Sequence, residues 1–120
     1  MDELIERLVD AAGIDKATAE KVLAIILDFL NKEGPADTIK PLIDAMPGAA
    51  ALIETEQANA GGGFAMGGLM GAGSRMMAAG LGMSQIESVT RAFIAYAREK
   101  AGDDAVGAVV GAIPGLGQYI

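Results

Sequence analysis

A chain of 120 residues with no Cys and no His has no disulfides, no thiolate nucleophile, and neither the usual general base nor the commonest metal ligands. Its net charge of −7 disfavours nucleic acid and anionic lipid as partners, because both are polyanions. Two Tyr, three Phe and no Trp leave few rings on which a base or sugar could stack, and the length fits a single domain, residues 1–120, that needs no covalent staple.

Apolar residues recur at spacings of three and four, the helical period. The start, Met1-Asp2-Glu3-Leu4, lacks the basic region of a secretory signal, so a cytoplasmic location is expected. The spacing predicts a first helix over 2–12, with Leu4, Ile5, Leu8 and Val9 on one face and Asp2 and Glu3 at the positive end of its dipole. Gly13 ends it. A second helix is expected over 16–32, capped by Asp15 or Thr18 and stopped by Gly34-Pro35. Its stripe of Val22, Ile25, Ile26, Phe29 and Leu30 is broad enough for a central helix. By helical phase Asp28 falls on the outer face with Lys21 and Lys32, and an i,i+4 pair with Lys32 is expected.

A short third helix, 37–46, takes Asp37 as its N-cap, carries Ile39, Leu42, Ile43 and Met46 inward, holds Pro41 near its first turn, and stops at Pro47-Gly48. Residues 55–66 read as a Gly-rich linker. A fourth helix, 67–80, follows; Gly71 and Gly73 weaken it, so it needs tight packing to survive. A fifth helix, 84–100, opens on Ser84-Gln85-Ile86-Glu87, which fits a capping box, and turns Val89, Phe93 and Tyr96 inward. The last, 104–113, has Asp104 as N-cap, Val106, Val109, Val110 and Ile113 inward, and Pro114-Gly115 as its stop.

The chain contains a repeat. Displaced by 67 positions, residues 11–53 lie on 78–120 without a gap, and ten of the 43 pairs are identical, among them Gly13/Gly80, Asp37/Asp104, Pro47/Pro114 and Gly48/Gly115. Conservative pairs such as Leu27/Ile94, Phe29/Tyr96, Ile39/Val106 and Leu42/Val109 fall at one helical spacing. The expected fold is all-α: a compact bundle of five to six helices, made of two similar halves related by a pseudo-two-fold. The halves are expected to meet through Val22, Ile26, Phe29, Val89, Phe93 and Tyr96.

Motifs that carry chemistry are few. Gly63, Gly67 and Gly71 are spaced like the small-residue seam of paired membrane helices, and residues 57–74 carry no charge. Seven glycines and few large apolar residues there favour close packing or a linker over insertion. Residues 109–117 resemble the turn of the helix-hairpin-helix motif of DNA-binding proteins, yet the three residues after it are not expected to form a second helix and no Lys or Arg lies beyond Lys100. A Pro-Gly helix stop is the simpler reading. Gly61-Gly62-Gly63 lacks the Lys and Ser/Thr of a phosphate loop, and Ser74 lacks an activating base. Glu54/Glu56 and Asp103/Asp104 follow no calcium-loop spacing and read as solvated surface. Met66, Met70, Met76, Met77 and Met83 gather about the Gly-rich middle; as adaptable apolar side chains they are candidates for binding a partner, with gap-filling in a core as the alternative.

The acidic helical start, the turn at Ala11–Ile14, the helix ends at Ala45–Gly48 and Ala112–Leu116, and the Gly/Met-rich middle at Gly61–Met83 together resemble a set of small bacterial all-helical proteins of unknown function. That resemblance implies a helical fold and carries no activity, cofactor or catalytic residue. The expected function is therefore a soluble, non-enzymatic interaction module that self-associates or docks a protein partner, without cofactor or metal. Two other readings compete with it: a lipid or membrane-surface binder using 57–83, and a metal-dependent enzyme acting through carboxylates alone.

Overall fold

The structure is a computed structural model that describes residues 2–34, 36–46, 48–60 and 68–112. Among them are seven helices and no strand: α1 (Asp2–Ala12), α2 (Lys16–Glu33), α3 (Ala36–Ala45), α4 (Ala49–Ala60), α5 (Gly68–Ala78), α6 (Met83–Ala101) and α7 (Asp103–Ala112). The all-α expectation holds, with one helix more than the five to six expected. The addition is α4. Residues 55–60, expected as linker, form its second half, and 61–66 lie outside the described residues. Its sequence is rich in Ala, with Leu52, Glu54, Glu56 and Gln57 as further good helix formers, and has no broad apolar stripe; Ala49 and Ile53, one turn apart, are the positions it buries among those whose side chains are described.

Local chemistry sets the ends of the elements. The Asp15 carboxylate caps α2 by accepting from the Thr18 amide at 2.8 Å. Gly13 ends α1 with φ +65 and donates its amide to the Val9 carbonyl at 2.8 Å. Gly80, 67 positions further on, has φ +103, and there Gly80 donates to Met77 and Leu81 to Met76, the two bonds of a Schellman stop. At the start of α6 the capping residue is Gly82 rather than Ser84. The Gln85 side chain accepts from the Gly82 amide at 2.8 Å and donates to the Ala12 carbonyl at 3.0 Å, tying α6 to the end of α1. Asp37 and Asp104 each sit one residue inside their helices, so they serve the dipole from the first turn rather than as N-caps. Because α3 begins at Ala36, Pro41 lies in its interior, where its missing amide leaves the Asp37 carbonyl without its helical donor.

Packing makes α2 the axis of the molecule. Every residue from Val22 to Leu30 is buried, and α1, α3, α4 and α5 all lie against it. Helix α6 rests on α1, α3 and α7, and α3 also meets α7. Val22, Ile26, Phe29, Val89, Phe93 and Tyr96 all enter one continuous core. The two long helices themselves touch only briefly; the larger contacts are α1 on α6 and α5 on α2. The Cα radius of gyration, 12.9 Å, is close to the roughly 14 Å of a globular domain of this length.

Candidate functional site

Of the five methionines of the Gly-rich region, three have described side chains: Met76, Met77 and Met83. Met66 lies outside the described residues, and Met70 lies in α5 with its side chain outside them. Met76, one residue from the exposed Met77, turns inward and is 5% exposed, so it is a core residue. Met77 and Met83 are 50% and 54% exposed, the large apolar side chains most open to solvent among the described residues. They stand on either side of the turn between α5 and α6. The sulfur-rich face anticipated from sequence thus reduces, among the described side chains, to two methionines at one corner.

The second feature is Asp28. Sequence phase placed it on an outer face, but its side chain is 0% exposed. The reason is coverage: with α4 and α5 both packed on α2, the helix has no outer face at this level. The expected pair with Lys32 forms, Nζ to Oδ2 at 3.1 Å, and Arg75 from α5 joins it, Nη1 to the same oxygen at 3.2 Å. Among the described residues Oδ1 has no hydrogen-bond partner. Burying a carboxylate costs several kcal/mol, so the cations must hold it in place. The physical effect of this carboxylate is to fix the register of α5 on α2, because one position on α5 carries the charge that satisfies it.

Sequence reasoning missed Arg75, although a signal was present. It is the one charged residue between Glu56 and Glu87, and Asp28 is the one charged residue in the apolar run Leu23–Leu30.

A matching contact joins α1 to α6 at the surface. The Arg7 guanidinium pairs with Glu99, bonds Glu3 at 3.1 Å, and lies 5.4 Å from the centre of the Tyr96 ring; the Lys100 ammonium lies 5.5 Å from the same ring. The hydrogen bond from Arg7 holds the Glu99 carboxyl below its ordinary range, and the same bond raises the guanidinium. The Thr18 bonds likewise lower Asp15.

A depression of about 350 Å³ between α1 and α2 is lined by Ile5, Glu6, Val9, Asp10 and Lys16 and opens widely to solvent. Ser74, Glu54, Asp103 and Asp104 are exposed. Among the described residues no group of three or more His, Cys, Asp or Glu is arranged to hold a metal ion, and no helix is long and apolar enough to cross a membrane. Comparisons with known protein families, curated proteins and solved structures find no match to this chain.

Proposed function

We propose that the chain is a non-enzymatic helical interaction module that self-associates, built from two similar halves related by a pseudo-two-fold. The observation that carries the interaction reading is the pair Met77 and Met83, the two large apolar side chains left half in water among the described residues, on either side of one turn. Thioethers on unbranched stems adapt to an apolar partner surface at little steric cost.

Helix geometry supports the two halves. Helices α3 (Ala36–Ala45) and α7 (Asp103–Ala112) stand 67 positions apart at both ends, and α2 and α6 begin 67 apart, at Lys16 and Met83. The turn glycines Gly13 and Gly80 share a positive φ. Each half sends its first helix to the long helix of the other, α1 to α6 and α5 to α2.

Native mass spectrometry and light scattering over a concentration series test the reading. The wild-type chain should assemble, and the double variant Met77→Gln, Met83→Gln should assemble more weakly with its helical content unchanged. A wild-type chain that stays monomeric at every concentration would overturn it.

A further inference from the structure

We propose that two copies of this chain pair by exchanging halves, so that α5–α7 of each copy packs on α1–α4 of the other and Arg75 of each copy meets Asp28 of its neighbour. The proposal rests on the reading that the chain self-associates and names its partner, a second copy; the contacts it exchanges are the inter-half contacts already present in one chain, with Met77 and Met83 outside them.

The first argument is topological. Helix α5 lies more on α2 than on its chain neighbour α6, and α1 lies more on α6 than on α2. The contacts between halves, α1 with α6, α2 with α5 and α3 with α6 and α7, are therefore made by elements that a single connection, between α4 and α5, holds in one chain. Rerouting that connection to a second copy preserves each of these contacts. Exchange of this kind is a low-cost route to a dimer because it needs no new surface.

The second argument is specificity. An apolar helix of any origin could cover the aliphatic face of α2, but it would leave Asp28 buried without its Arg. Among the described residues the carboxylate already has an oxygen without a partner, and losing Arg75 would leave only Lys32, whose side chain is 52% exposed. The α2 face thus discriminates against foreign helices and accepts α5, from its own chain or from another copy. The α1–α6 contact adds the same logic at the surface, through Arg7 and Glu99.

The third argument is that α5 is weak by itself. Gly73 lies in its interior, and a Cβ there would meet nothing within 4 Å, so packing does not demand the glycine. A helix weakened without a packing reason depends on its docking site for its stability.

Complementary charge variants of the full chain test the exchange. One chain carries Asp28→Arg and the other, labelled with heavy nitrogen, carries Arg75→Asp. Each is mismatched within itself, and both pairs are restored only when halves cross between the two. The chains are unfolded together, refolded at high concentration and weighed by native mass spectrometry. The mixed dimer should exceed either homodimer by about fivefold or more, the order of a contact coupling energy. A second couple, Arg7→Glu with Glu99→Arg, lies on the surface and keeps the test decisive where the buried variants do not fold; it should show the same bias, more weakly. Dimers in statistical proportion from both couples overturn the exchange and leave self-association standing. Monomers alone, from wild type and variants, overturn both.

Discussion

Helices α2 and α6 fall on one another when the sequence is displaced by 67 positions, yet one is buried all round over its central stretch and the other on one side. From Val22 to Leu30 no residue of α2 is exposed, whereas the equivalent stretch of α6 exposes Arg91 and Ala95 and half-buries Ala92. The residues of α2 at those positions are Ala24, Asp28 and Ile25. The difference follows from α4, which continues the chain after α3 and lies along α2. Coverage by a later element turned a phase that would otherwise face water into core. That is how a carboxylate came to be enclosed at Asp28, where α6 carries Ala95.

The comparison breaks most sharply at Leu23 and its counterpart Thr90. Leu23 is fully buried on α2, so Leu23→Ala should cost about 2–5 kcal/mol. Thr90 is 8% exposed and its hydroxyl bonds back to the Ile86 carbonyl at 2.8 Å, so Thr90→Ala should cost about 1 kcal/mol. Chemical denaturation of the two variants measures both, and equal losses would mean that α2 and α6 are equally enclosed.

The enclosed charge supplies the next effect. Arg75→Met leaves Asp28 with Lys32 among the described cations and should cost about 3 kcal/mol, the lower end for breaking a buried pair because one cation remains. Adding Asp28→Leu removes the stranded charge and should return stability to wild type or above. A double variant no more stable than Arg75→Met would show that the pair contributes net stability rather than register.

Helical type and most inward stripes were legible in the sequence, because period and caps act locally: Leu4, Leu8, Val22, Phe29, Ile39, Leu42, Phe93 and Val106 are all buried as their spacing requires. Two things were not. Helix α4 lacks an apolar stripe, so periodicity could not announce it, and the burial of Asp28 depends on α4 and α5 being present. The capping of α6 was misread for a related reason. Ser84 and Glu87 satisfy the pattern of a capping box, but Gln85 reaches the Gly82 amide and the Ala12 carbonyl at once, and that second bond exists only in the folded molecule. Of the candidate methionines, spacing could not separate Met76 from Met77, since adjacent residues on a helix differ by about 100° of phase and either could be the inward one.

Glycines sharpen the contrast between helices held by sequence and helices held by docking. A Cβ at Gly73 in α5, or at Gly107 in α7, would meet nothing within 4 Å, so Gly73→Ala and Gly107→Ala should each stabilise by about 0.5–1 kcal/mol. At Gly34, between α2 and α3, a Cβ would lie 2.4 Å from Ile39 Cγ1 and 3.0 Å from the Leu30 carbonyl oxygen, so Gly34→Ala should destabilise. Thermal melts of the three variants should therefore move in opposite directions. If Gly73→Ala lowers the midpoint, α5 is packed more closely than its open Cβ position implies.

The smallest effect separates the surface contact of α1 with α6 from the buried one of α5 with α2. The Glu99 carboxyl titrates below its ordinary value because Arg7 donates to it. A carboxyl lowered on folding adds stability that is fully present above its unfolded pKa, about 4.5, and is lost as the pH falls through the folded value. The gap in midpoint between wild type and Glu99→Gln should therefore be constant from neutral pH down to about 4.5 and close below it. Because both side chains are exposed, the gap should also shrink in high salt, where ions screen the pair. Gln keeps the length of the side chain, and Arg7 keeps its place over Tyr96, so the variant reports charge rather than packing. A gap that persists unchanged in acid and in salt would assign the contact to the ring and the aliphatic stems, and the resemblance between the two cross-half ion pairs would then be one of position alone.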